Sequence, residues 1–451
     1  MKYLEYSIDD LSREIRNKNI PISDVVVASL DRAESLLRKY NAFIELFRES
    51  ALKQADVLQK EIDAGHWRGP LHGIPLAYKD CFLRKDRSPT VGSKVPIEHS
   101  NMDAYVVSAL GKMGAIDIGA LNLSEMCAGP CGLNIHFGDC RNAWAPTRIS
   151  GGSSSGSAVS VASYQVYGAL GTDTGGSLRI PSALNGVYSM KPTFGLIPNT
   201  GCFPRAFSLD CIGPIARSVQ DCEIIFDQLV GPENLKYSEK TSEEIKISVI
   251  NTDLDINPAI EKRFSDMKNL LATAFQLTPS VKFSSIEVCY TMGDIIAKCE
   301  AAAVHKKFMK KYPSLYSSEV YSRTEVGLHI SATMYIEAIG SRSYIVQDFI
   351  KKSFTNADIL MMPCVPIPVP LINEVKYADD RAAQEMIKGM TLLTRPFNYL
   401  GLPVLSMPIG IDDNGMPVGA QLIGKPFEEK MLFNAARQMA DILKFKNMPY
   451  Q

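Results

Sequence analysis

The stretch that decides the fold is residues 151–182, GGSSSGSAVSVASYQVYGALGTDTGGSLRIPS. Gly-Gly-Ser turns at 151–153 and 175–177 bracket an apolar segment, so Ser153 and Ser177 fall on separate tight loops. Glycine is needed where backbone N–H groups must approach a ligand closely or where φ turns positive. Thr174, Gly175, Gly176 and Ser177 form a run that can aim consecutive N–H donors at a developing oxyanion. A serine closing such a run is placed to act as a nucleophile.

Outward from this stretch, helical and strand patterns alternate. Helices are expected at about 23–37, 49–64 and 104–113 and after Gly156, with strands ending near Lys79, at 115–118 and at 245–250. Ser7 reads as an N-cap, with Leu11 and Ile15 on one helix face. The rhythm predicts an α/β protein with a large mixed, mainly parallel sheet covered by helices. The run 359–372 carries Pro363, Pro366, Pro368 and Pro370, which would break a spanning helix, so it reads as a buried strand leading into an extended loop, with Met361 and Met362 in the core. The polar segment 231–244, GPENLKYSEKTSEE, reads as a surface connection.

Composition narrows the class without naming a reaction. The 451 residues, 46% hydrophobic and 22% charged, suffice for a large core. With 48 basic and 49 acidic residues, a formal net charge of −1 gives no electrostatic reason to expect nucleic acid, an acidic membrane surface or a polyanion. Ten cysteines at irregular spacing, such as Cys127 and Cys131 with no matching second pair, fit reduced thiols better than a zinc site, and no metal is expected. The N-terminal segment lacks the apolar core of a signal peptide, so a cytoplasmic location is the expectation.

The central stretch closely resembles the signature of the amidase signature family of serine hydrolases, and further motifs follow in that family's order. They are GPLHGIPLAYKD at 69–80, GSK at 92–94, Asp103-Ala104, GALNLSE at 119–125, KPTFG at 191–195, SLD at 208–210, Gly213-Pro214, GLP at 401–403 and GMPVGAQLIG at 415–424. The resemblance implies one α/β/α amidase domain over 1–451, with a signature core at about 69–231 and C-terminal motifs at about 391–427. It implies that Ser177 is the nucleophile, that Ser153, 24 positions earlier, bridges it to Lys79, and that the Gly152–Ser153 bond is cis.

Amide hydrolysis needs a nucleophile, a group that takes and returns its proton, and donors for the oxyanion. The six histidines, at 66, 72, 99, 136, 305 and 329, offer no Ser-His-Asp order, which leaves Lys79 as the base. A lysine acts so only when neutral, a state favoured by burial without a carboxylate partner. Asp80 follows directly, but on a strand it points to the opposite face. Asp173 and Arg179 flank the nucleophile turn and read as a pair that holds the loop, with Ser154, ahead of Ser155, a candidate to join the network. His72 and His136 read as satisfied polar groups beside the pocket.

Competing readings of these residues are weaker. A flexible linker would not run straight into an apolar helix. A phosphate loop lacks the following lysine, and a dinucleotide site lacks its strand and downstream acid.

Substrate choice rests on fewer residues. Pocket walls are expected from 201–207 and 312–344. Arg205, in CFPRAF, would select a substrate carboxylate if it enters the pocket, a solvated loop arginine being the plainer reading. Asn185 and Ser189-Met190 depart from the family's usual residues without touching the triad. Thr391 stands where the glutamine-hydrolysing subunit of tRNA-dependent amidotransferases carries an Asp for the substrate ammonium. The resemblance therefore favours a free-standing amidase of a small linear carboxamide, without cofactor or nucleic acid, over that subunit, which would need partner chains and tRNA; a non-catalytic binding module comes last. The oligomeric state stays open, a homo-oligomer included.

Overall fold

The computed structural model describes residues 3–447 except positions 235, 237 and 239. Eleven strands form one sheet: β1 (Phe43–Leu46), β2 (Pro75–Lys79), β3 (Ile116–Leu121), β4 (Gly168–Asp173), β5 (Tyr188–Lys191), β6 (Cys211–Ala216), β7 (Lys246–Asn251), β8 (Gln276–Lys282), β9 (Ile359–Pro363), β10 (Val404–Ile411) and β11 (Pro417–Ile423). Their order across the sheet is β1-β3-β2-β4-β6-β5-β10-β11-β9-β7-β8. Strands β2 and β4, PLAYK and GALGTD, are buried at every position, as expected of central strands covered on both faces.

The sheet is mixed, but the expectation that it is mainly parallel is corrected: of ten pairings, β2 with β3 and β4, and β7 with β8 and β9, are parallel, and the other six are antiparallel. One of the six follows from a short connection: parallel neighbours need a crossover, whereas β10 and β11 are joined by only residues 412–416, where Asp412 Oδ1 accepts from the N–H groups of Asn414 and Met416. The others join strands further apart in sequence, such as β5 with β10.

Helices pack against this sheet as the apolar periodicity requires. Ser7 caps the helix Ile8–Arg16 by accepting from the Asp10 N–H, a contact whose removal costs about 1 kcal/mol. The helix expected at 23–37 runs Ile22–Tyr40, one turn longer, and stops where Asn41 takes φ 52°, a left-handed conformation that asparagine tolerates. Phe226 and Phe433 pack with ring centroids 5.3 Å apart and planes tilted by 52°, joining the helix Val219–Val230 to the helix Glu429–Leu443. Met361 and Met362 are core residues of β9, after which the proline-rich chain continues to Pro370 without helix or strand, bending at Cys364 and at 366–367. The polar segment 231–244 contains short helical turns at Pro232–Asn234 and Ser242–Glu244, with three of its positions outside the described residues.

Strands β2 and β4 are parallel neighbours, with Tyr78 opposite Leu170, so their carboxyl ends open at the same edge. Lys79 closes one and Asp173 the other. The carboxyl edge of parallel strands is where α/β sheets hold their ligands.

Candidate active site

At that edge Lys79 is fully buried, with Nζ 2.8 Å from Ser153 Oγ and 2.7 Å from Thr172 Oγ1. Among the described residues no carboxylate pairs with it. Asp80 turns away, as alternation along a strand requires, and accepts from Thr90 Oγ1 at 2.6 Å and from Arg87. The Gly152–Ser153 peptide bond is cis. Ser153 is buried, and Ser177, half-buried, lines a cavity of about 70 Å³.

A second network fixes the turn that carries Ser177. Asp173 receives the Arg179 Nε and Nη2 groups at 3.0 Å each and the N–H groups of Gly176 and Leu178 at 2.8 and 3.1 Å. Burial by itself raises the carboxyl pKa, yet the Arg179 charge and its hydrogen bonds outweigh that and hold Asp173 well below the usual carboxylate range. Arg179 also donates to Thr394 O, Gln421 Oε1 and Asn398 Oδ1. Gly176 has φ 129°, and a Cβ there would meet Thr394 Oγ1 at 2.3 Å, so this position admits no side chain.

The four-donor run is thereby corrected. The Gly176 N–H is already given to Asp173, whose carboxylate shapes the turn. The N–H groups of Thr174, Gly175 and Ser177 remain as candidate oxyanion donors, since no acceptor holds them among the described residues.

Ser154 joins the network by bonding both ways to the Thr172 backbone, while its N–H donates to Ser177 O. Ser155 instead donates to Asn122 O. Asn185 ties the helix Arg179–Asn185 to Ser150 O and Pro181 O, so its departure from the family pattern is structural. Thr174 Oγ1 donates at 2.5 Å to Asp210, which also accepts from the Arg205 and Ala206 N–H groups. Burial pushes the Asp210 carboxyl up to about 6, hydrogen bonds from Thr174 and the two amides opposing the shift only in part.

The reading of Arg205 as a solvated loop residue is corrected: it lines the cavity, and its Nη1 is buried without a hydrogen-bond partner among the described residues. Burial, reinforced by the Arg323 charge, brings its pKa down to about 10. The expected walls contribute Arg205 and Arg323. Thr391, singled out for substrate choice, lines the cavity, whereas sequence reasoning missed the walls formed by Asp294 and Lys298 and by Ile387 and Arg395, as well as Thr172 beside Lys79. The first two groups sit on helical stretches where a charged residue gives no sign of facing inward. His72, bonded to Leu58 O, and His136, bonded to Glu125, are satisfied groups outside the cavity lining.

Comparison with known proteins places this geometry. The glutamyl-tRNA(Gln) amidotransferase A subunit of Natranaerobius thermophilus is 32% identical over 100% of this chain and 98% of its own length. Other relatives at 29% to 31% identity carry the same name. Among solved structures, an amidase superposes with TM-score 0.88 at 29% identity over 97% of this chain and 100% of the other. The native peptide amidase of Stenotrophomonas maltophilia superposes with TM-score 0.81 at 25% identity over 98% of each. No helix among the described residues is long and apolar enough to cross a membrane. The profile of the family described as Amidase matches residues 24–433, and the chain belongs to that family of enzymes acting on amide carbon–nitrogen bonds.

Proposed function

We propose that the chain hydrolyses a small linear carboxamide through an acyl-enzyme on Ser177. The observation that carries this reading is the buried Lys79 amine, 2.8 Å from Ser153 Oγ and without a carboxylate partner among the described residues. A lysine so placed serves as base once neutral. In this reading the Ser177 proton passes to Ser153, and the Ser153 proton to Lys79, as Ser177 Oγ attacks the carbonyl carbon. The oxyanion is met by N–H groups from Thr174, Gly175 and Ser177. On collapse the carbon–nitrogen bond breaks, and the departing nitrogen takes the proton back through Ser153. Water then attacks the acyl-enzyme by the same relay, releasing a carboxylic acid and restoring Ser177.

The shared name of the curated relatives backs the reading as an amidotransferase component better than the free-standing one that Thr391 suggested. In that reading the amide is glutamine and the ammonia passes to partner chains. Ammonia release by the isolated chain, with and without tRNA and an added amidotransferase B subunit, separates the two. Labelling by a fluorophosphonate followed by peptide mapping tests the nucleophile common to both, and an adduct elsewhere than Ser177 would overturn the assignment.

A further inference from the structure

The cavity beside Ser177 holds more positive charge than amide chemistry requires. Arg205, Lys298, Arg323 and Arg395 line it against one carboxylate, Asp294. Asp294 is taken twice, by Arg395 on Oδ1 and by Lys298 at 2.7 Å on Oδ2. Arg323 pairs with Glu319 at 3.0 Å. Arg205 forms no ion pair among the described residues. Its Nη1 and the Arg395 Nε are buried donors lacking an acceptor there. The second of these sits against the oxyanion turn, where a Cβ on Gly175 would meet it at 3.3 Å.

A buried guanidinium donor without an acceptor keeps its desolvation cost, and a carboxylate removes it by a bidentate contact. The wall offers nothing equivalent to an ammonium. Asp294 is doubly engaged, and Thr391 Oγ1 donates to Ile387 O at 2.7 Å. The cavity, about 70 Å³, has room for roughly five waters, which suits a chain of a few carbons.

We propose that the substrate is the monoamide of a short dicarboxylic acid, its far carboxylate held by Arg205 beside the free edge of Arg395, and that amino-acid amides are disfavoured for want of an ammonium partner. The inference rests on Ser177 being the nucleophile. The reaction would be monoamide plus water giving the dicarboxylate and ammonia, with no other reactant.

The test compares the wild type with Arg205→Gln and Arg205→Lys on succinamate, butyramide and glutamine. The wild type should favour succinamate over butyramide in kcat/KM by about tenfold or more, and over glutamine as well. Arg205→Gln should erase most of that ratio, chiefly through KM, and Arg205→Lys should restore part of it. Succinate should also protect Ser177 from fluorophosphonate in the wild type and not in Arg205→Gln. A wild-type ratio near one, an unchanged ratio in Arg205→Gln, or a preference for glutamine overturns the proposal. If Ser177 does not label at all, the nucleophile assignment is what fails. Succinate binding by calorimetry then still decides the carboxylate subsite: loss of binding in Arg205→Gln supports it, and binding that is absent in the wild type or unaltered by the substitution refutes it.

Discussion

Lys79 and Arg179 are both buried cations at one edge of one sheet, and their surroundings are opposite. Arg179 has the Asp173 carboxylate, the Thr394 carbonyl and the side-chain amide oxygens of Gln421 and Asn398, so all its charge is matched. Lys79 meets two hydroxyl groups. A matched buried charge stays where it is and holds its neighbours, whereas a buried amine facing only hydroxyls has no counter-charge beside it. Acceptors thus separate a brace, Arg179, from the residue proposed above as a proton carrier, Lys79, one hundred positions earlier in sequence.

Four substitutions probe that contrast, and the largest expected effect belongs to Ser177. Ser177→Ala should lower amide turnover by about 10⁴-fold or more and abolish fluorophosphonate labelling, because no covalent intermediate forms. Lys79→Ala should cost about 10²- to 10⁴-fold on an amide and clearly less on an ester of the same acyl group, since an amine anion leaves far less readily without a proton. Equal losses on amide and ester would erase the proton-carrier half of the contrast. Ser153→Ala should still label at Ser177 while turning over slowly, and an adduct mapped to Ser153 would reverse the two serine roles.

On the brace side, Asp173→Asn strands the Arg179 charge and should lower unfolding stability by about 3–5 kcal/mol in urea titrations. A loss under 1 kcal/mol would show that the brace is not one.

The smallest expected effect is pH-dependent and comes from Asp210. Its carboxyl is raised in the fold to about 6, above the value of an unfolded chain, so the folded state holds the proton more tightly between about pH 4 and 6. The resulting stabilisation is fully present below pH 4 and is lost as pH rises through 6. A shift of roughly 2 units corresponds to about 3 kcal/mol. Asp210→Asn should remove that slope when unfolding is compared at pH 4 and pH 7.5, and an unchanged slope would place the titration elsewhere.

Much of this was legible from residue order. The glycine-serine turns placed Ser153 and Ser177 on loops, and the strand ending at Lys79 is β2 as expected. The alternation that sent Asp80 away from Lys79 is a property of any strand. What was not legible depends on partners distant in sequence. The antiparallel majority of the sheet includes pairings such as β5 with β10, more than 200 residues apart, about which local periodicity says nothing. The cationic wall is drawn from 205, 298, 323 and 395, four separate segments. Arg205 looked like any loop arginine because its burial is created by residues about a hundred positions away and more. The Gly176 N–H could not be assigned until the Asp173 carboxylate was seen beneath it.

The acceptors of Arg179 lie at 173, 394, 398 and 421, and Thr394 also donates to Gly175 O in the Ser177 turn. During synthesis the serines emerge more than two hundred residues ahead of the last of these contacts. A nascent or truncated chain therefore carries Lys79, Ser153 and Ser177 without the C-terminal contacts that hold the Ser177 turn in place.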